Sequence, residues 1–158
     1  MTIIMFRGIN SATLDAKGRM ALPVRFRDTV HGNQPGESAQ VVVTIDTRER
    51  CLLLYPMPAW DIVQSKLEAL PNIGDSARRL QRLLIGHATD IDVDSQGRIL
   101  LPAMLRDFGA LEKKLVLVGQ GNKIEIWNAD RWQERMSAWL AHDSDLLSDS
   151  DEFTGLSL

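Results

Sequence analysis

Asp15 and Arg19 stand four residues apart with Gly18 between them, and Asp94, Gly97 and Arg98 repeat that spacing. A glycine can take the positive φ of a tight turn, and an aspartate at the turn's entrance can accept the backbone N–H groups just ahead of it. The arginine is then held beside the carboxylate. It can form an ion pair that pins the turn, worth under about 1 kcal/mol if exposed. Alternatively it can present its planar fork to an anion, either a phosphate or the O6/N7 edge of guanine. The residues alone leave both readings open. The brace explains Asp and Gly well, but does not by itself require Arg in both copies.

The two motifs lie inside a longer duplication. Residues 14–28 and 93–107 align without a gap, with Asp15/Asp94, Gly18/Gly97, Arg19/Arg98, Leu22/Leu101, Pro23/Pro102, Arg27/Arg106 and Asp28/Asp107 identical. Unrelated windows of that length share roughly one identity. A second echo, Leu52-Leu53-Leu54-Tyr55 with Trp60 against Ile124-Glu125-Ile126-Trp127 with Trp132, has a shorter offset, which places extra residues of the first half in the loop from His31 to Gln40. Two copies of one supersecondary unit sharing a core are expected, in a pseudo-twofold α+β fold whose strands interlock as one small barrel.

Each copy begins with a β-hairpin around its glycine turn. A short helix follows, Pro23 to Thr29 or Pro102 to Phe108, since proline suits a first helical turn, and Gly109 closes the second. Strands are expected at Gln40 to Ile45, Cys51 to Pro56, Lys114 to Gly119 and Lys123 to Trp127. Helical spacing of apolar residues marks Met57 to Leu70 and Ala129 to His142. Between the copies, Asp75 to Gly86 forms a helix with Leu80, Leu83 and Leu84 opposite Arg78, Arg79 and Arg82. The organisation is a first repeat at 1–71, a linker helix at 72–89, a second repeat at 90–142, and an acidic, Ser-rich, mobile tail at 143–158.

Charge is distributed unevenly. The net −3 over 158 residues includes Asp143, Asp145, Asp149, Asp151 and Glu152 of the tail; setting those five aside leaves 18 basic against 16 acidic residues. Within residues 1–27, Arg7, Lys17, Arg19, Arg25 and Arg27 face only Asp15. That bias fits a polyanion partner or a solvated charged surface equally well. An apolar share of 44% supports a sizeable core. No stretch approaches the roughly 20 apolar residues of a membrane span, so a cytoplasmic protein without membrane contact is expected. One cysteine, Cys51, excludes an intrachain disulfide and suits a buried, inert thiol.

Other chemistry has little to stand on. His31, His87 and His142 are scattered, and Gly86-His87-Ala88 suits a helix C-terminus with a dipole-facing histidine. Asp90, Asp92 and Asp94 share one strand face and could hold Mg²⁺ for phosphoryl transfer, although a solvated edge is the plainer reading. There is no nucleophile elbow, phosphate-cradling loop or zinc pattern. No cofactor, metal, catalytic residue or small-molecule substrate is expected.

Met5-Phe6-Arg7-Gly8, the two Asp-x-x-Gly-Arg turns, Arg78 through Ala88, and Leu117-Val118-Gly119-Gln120 together resemble the MraZ family of bacterial transcriptional regulators. The likeness runs from Met5 to about Leu140, so Thr2 to Ile4 precede the family's usual start. It implies an AbrB-like swapped-hairpin fold, a homo-oligomeric ring, and multivalent binding to repeated double-stranded promoter elements upstream of the chain's own division and cell wall gene cluster, hence a nucleoid-associated protein. The family's Asp-x-x-x-Arg motif falls on Asp15 with Arg19 and on Asp94 with Arg98. Under that resemblance these four, with Lys17, Arg25 and Arg7, are the expected DNA-binding residues. Lys17 and Arg25 have Gln96 and Met104 as counterparts, so the first hairpin is expected to be the more basic. A ring that binds acidic proteins and no DNA is the alternative from another class.

Overall fold

A computed structural model of the chain describes residues 6–32, 39–71 and 74–142. In chain order the elements are β1 (Phe6–Thr13), β2 (Arg19–Ala21), α1 (Val24–Gly32), β3 (Ala39–Ile45), β4 (Leu52–Pro56), α2 (Met57–Glu68), α3 (Asp75–His87), β5 (Thr89–Val93), β6 (Arg98–Leu100), α4 (Ala103–Phe108), β7 (Lys114–Gly121), β8 (Ile124–Asn128) and α5 (Ala129–Ala141). The acidic tail and Thr2 to Ile4 lie outside the described residues.

The repeats exchange strands. One sheet runs β1-β7-β8-β4-β3-β5, and a two-stranded ribbon pairs β2 with β6, all antiparallel. The two edge strands therefore each pair with the other copy's third strand: β1 on β7, β5 on β3. Around the first glycine turn only the bridge Leu14↔Met20 joins the two arms; beyond it they part, β1 to the sheet and β2 to the ribbon. A pseudo-twofold axis passes between Met20 and Ile99, equivalent residues that face each other, and again between Leu53 and Glu125.

Register also locates the extra residues of the first copy. Arg19 corresponds to Arg98, an offset of 79. The matching pairs Asn10↔Leu117 and Thr89↔Val43 make Val43 the equivalent of Leu117, an offset of 74. Leu52↔Ile126 and Leu54↔Ile124 lower it to 72 at β4 and β8. Five of the seven extra residues thus precede β3, as the loop reading expects, and two widen the turn between β3 and β4.

Burial explains the strand composition. Val41 and Val43 of β3 and Leu52 and Leu54 of β4 face the central core with Met20, Leu22, Ile99, Leu101 and Leu105. Val42, Leu53 and Tyr55 face the other way, under Trp60, Leu67, Leu80, Leu84 and Ile85 of α2 and α3. Both sheet faces are covered there, which is why these strands are continuously apolar instead of alternating. On the second copy α5 covers the sheet, with Trp132 and Trp139 packed on the buried Trp127 at 5.4 and 6.1 Å between ring centroids. Tyr55 and Trp60 repeat that arrangement at 5.4 Å. The Glu49 carboxylate, in the widened β3–β4 turn, accepts Arg135 Nη2 at 2.6 Å and anchors α5.

Several sequence expectations shift slightly. Pro102 occupies the N-cap of α4 instead of its first turn, and α1 continues past Thr29 to Gly32. Gly86 lies inside α3, whose cap is Ala88; His87 Nδ1 donates to the Leu83 carbonyl at 2.7 Å, as a histidine at a helix C-terminus should. Leu83 is the exception on α3. It stands 40% exposed beside Arg79 and Arg82, while Ile85 takes the inward place.

Candidate nucleic-acid interface

The two glycine turns are built alike, atom for atom. Asp15 Oδ1 accepts the backbone N–H of Lys17 and of Arg19, both at 2.9 Å, and its Oδ2 accepts Arg19 Nε at 2.9 Å. Asp94 does the same for Gln96 (2.9 Å), Arg98 N (2.8 Å) and Arg98 Nε (3.0 Å). Gly18 and Gly97 hold φ of +88° and +75°, which a side chain would strain. The carboxylate thus works as an orienter. It takes only Nε–H of each guanidinium, and among the described residues no acceptor takes an Nη hydrogen of Arg19 or Arg98. Four polar hydrogens per arginine remain for a partner.

The ribbon brings the two arginines together. Arg19 lies opposite Leu100 and Arg98 opposite Ala21, while Met20 and Ile99 between them point into the core. Arg19 and Arg98 are therefore diagonal neighbours on one outward face, about 7–8 Å apart at their backbones. A two-stranded ribbon of this width is admitted by the major groove of B-DNA.

Strand exchange also moves the other cations. Leu22 N donates to Gly97 O and Leu101 N to Gly18 O, both at 2.9 Å, so each short helix starts beside the other copy's turn. Arg27 crosses to bond the Gln96 carbonyl at 3.2 Å and lies against Gly97; Arg106 lies against Gly18, where an added Cβ would approach its Cζ to 2.9 Å. These two arginines buttress the turns. Their only signal in the sequence is identity across the repeats.

Arg25 leaves the first turn altogether. Its guanidinium covers Gly8 and the Phe26 ring, 5.2 Å from the centroid, so it does not reinforce Lys17. Arg7, exposed on β1 opposite Gln120, is near that group and not at a turn. What does reinforce the first turn comes from the second copy. Leu14 N donates to Lys113 O at 2.9 Å, and Lys114 pairs with Thr13, so two lysines stand at its base. At the second turn the corresponding strand offers Ala39 and Gln40, beside exposed Asp90 and Asp92. The first turn is the more basic, for a different reason than Arg25.

This asymmetry has a measurable consequence. Replacing Lys17, Lys113 and Lys114 by Gln is expected to weaken binding to specific and random DNA together. It should also flatten the plot of log affinity against log salt, by up to about 0.9 for each phosphate that is no longer neutralised. Titration of salt in a binding assay checks it.

Two of the three acids of β5 and its turn, Asp92 and Asp94, have partners of their own, and Asp90 is exposed. Asp92 Oδ1 accepts Gln40 Nε2 at 2.9 Å and Asp94 is committed to its turn, so β5 carries a solvated edge and not a shared ligand set. Asp46, Cys51 and Glu125 bring ligand atoms within 4.8 Å of one another. Cys51 donates to Asp46 at 3.7 Å, however, and Glu125 accepts the Trp127 indole at 2.9 Å. Burial pushes the Cys51 thiol upward, keeping it protonated and inert.

Asp15 and Asp94 move the opposite way. Their N–H donors, the backbone N–H of Arg19 and of Arg98 foremost, hold both carboxyls below the ordinary aspartate value. A carboxyl depressed on folding contributes stability that is complete above its unfolded pKa, about 3.9, and is lost as pH falls through the folded one. The difference in melting temperature between the wild type and Asp15→Asn is accordingly expected to be flat from pH 5 to 8 and to shrink toward zero below pH 4. Thermal denaturation across that range checks it.

Comparison with known proteins decides the family. The profile described as “MraZ protein, putative antitoxin-like” matches residues 5–83 and 84–146, one match for each repeat. The chain belongs to the MraZ family. Proteins named transcriptional regulator MraZ are similar over nearly the whole length: from Legionella pneumophila strain Corby at 49% identity over 142 residues, covering 90% of this chain and 91% of that one; from Marinomonas sp. strain MWYL1 at 53% over 140 residues, 89% and 91%; and from Coxiella burnetii strain Dugway at 48% over 139 residues, 88% and 90%. The MraZ matches include both Asp–Arg turns, the linker helix and the helices that cover the sheet. No helix among the described residues is long and apolar enough to cross a membrane.

Proposed function

We propose that this chain is a DNA-binding transcriptional regulator that grips double-stranded promoter DNA with the outward face of the β2–β6 ribbon. The observation that carries the reading is the pair of guanidinium forks, each oriented by its own carboxylate and both on one face. A turn brace needs one Nε–H; it has no use for two Nη edges that find no acceptor among the described residues. The names of the relatives support the same reading. Arg19 and Arg98 read base edges or phosphates, Asp15 and Asp94 aim them, and Lys17 adds phosphate attraction. Arg7 and Arg25 contribute only to the general field, from beside β1. Pairing of β1 with β7 and of β3 with β5 supports an AbrB-like swapped-hairpin barrel made from the two repeats.

The targets we assign are repeated elements upstream of the division and cell wall gene cluster that contains the chain's own gene, bound in the cytoplasm at the nucleoid. One ribbon offers too few cations for tight binding at physiological salt. A homo-oligomeric ring presents several ribbons at once, and effective concentration then multiplies their separate affinities. Trp60 is buried within the chain, while Trp132 and Trp139 pack on Trp127 and stay half-buried, leaving part of each ring for a contact between subunits. Ile62 and Leu140, 60% and 62% exposed on α2 and α5, are free to serve. The activity is binding, without catalysis, cofactor or small-molecule substrate. A gel shift with the source organism's upstream DNA, at two salt concentrations and with EDTA, tests it. Salt-sensitive, EDTA-insensitive retention of that DNA over a scrambled duplex is expected; no retention at low salt refutes the reading.

A further inference from the structure

The pseudo-twofold axis through Met20 and Ile99 exchanges Arg19 with Arg98, so the arginines alone would read a palindrome. Their cross-strand partners occupy equivalent positions and differ in kind. Arg19 faces Leu100 and Arg98 faces Ala21. Leu100 is 55% exposed on the outward face and contributes nothing to the core; Met104, 54% exposed, follows in the first turn of α4, as Val24, 63% exposed, does in that of α1. The ribbon itself thus offers a guanidinium beside exposed Leu100 at one end and a guanidinium beside Ala21 at the other.

In the major groove of DNA, one base edge alone offers an apolar group, the C5-methyl of thymine, while arginine's fork suits guanine O6 and N7. We infer that Leu100 packs on a thymine methyl beside the base read by Arg19, so that the ribbon binds a non-palindromic element in a single orientation. The inference rests on the DNA-binding reading above and adds to it a residue that selects sequence and polarity. Repeated elements would then have to run in one direction to be shared by a ring of identical ribbons.

Selection from a randomised duplex library with the full chain supplies the element, and uracil supplies the probe, since dU differs from dT only by the methyl. Burying one such carbon contributes about 0.8 kcal/mol, or about fourfold in affinity. The expected element lacks twofold symmetry, and replacing one thymine by dU weakens wild-type binding about fourfold. Leu100→Ala shows the same loss on the thymine duplex and no further loss with dU. Ala21→Leu, which restores the symmetry of the face, shifts selection toward a palindrome. A palindromic wild-type element, or wild-type binding indifferent to dU at every thymine, overturns the role of Leu100 while leaving DNA binding intact. Failure to enrich any element removes the DNA-binding reading itself, and this inference with it.

Discussion

Arg19→Ala is expected to leave the chain folded and to remove most of its affinity for promoter DNA. The side chain is about one-third exposed and its sole partner among the described residues is the carboxylate of its own turn. Asp15 keeps its two backbone donors without it. Surface changes of this kind usually fall within about 0.5 kcal/mol, which for a domain of this size shifts Tm by about 2 °C or less. A fork on a guanine edge contributes about 1–3 kcal/mol, roughly 5- to 150-fold for each ribbon engaged. In a ring every subunit is deprived of that fork at once, so the effects multiply. Arg98→Ala should do less harm, because Gln96, Asp90 and Asp92 already weaken phosphate attraction at its turn. Calorimetry and fluorescence anisotropy on the same preparations separate stability from binding. A large fall in Tm with unchanged affinity would make Arg19 a turn brace.

The second large effect concerns assembly. Ile62→Glu with Leu140→Glu places charge on the two most exposed apolar positions of the outer helices while sparing all three buried clusters. Light scattering is expected to show monomers or small oligomers that remain folded. Affinity for DNA carrying several elements should fall about 10²- to 10⁴-fold, the range that linked binding sites gain, with affinity for a single element nearly unchanged. A dispersed variant that binds multi-element DNA as tightly as the wild type would exclude the avidity mechanism.

Much of this architecture is legible in the residues before any coordinates. Seven identities at one offset reveal the repeat, and Asp followed by Gly predicts the turn, because both act over four residues. The continuous runs around Val42 and Leu53 signal strands buried on both faces. Pairing across the repeats is another matter. Alternation in a strand fixes which face is buried and is silent about which strand lies alongside. That β1 joins β7, more than 100 residues away, follows from register only. The same blindness hides Lys113 and Lys114 at the first turn, sends Arg25 to Gly8 instead of to Lys17, and conceals Arg27 and Arg106 as buttresses. Leu83 on the charged side of α3 escapes for a related reason, since periodicity describes a stripe without saying which residues at its margin a neighbour covers.

The claim that the arginines act through their planar forks, and not through charge alone, is tested most directly by Arg19→Lys with Arg98→Lys. Lysine keeps the charge and loses the bidentate edge. Anisotropy with the upstream duplex and a scrambled one of equal length gives the ratio of specific to random affinity. The expected result is a ratio reduced at least tenfold, with binding to the scrambled duplex and its salt dependence nearly preserved. A lysine variant that keeps the wild-type ratio would contradict fork recognition and leave the ribbon a point-charge surface.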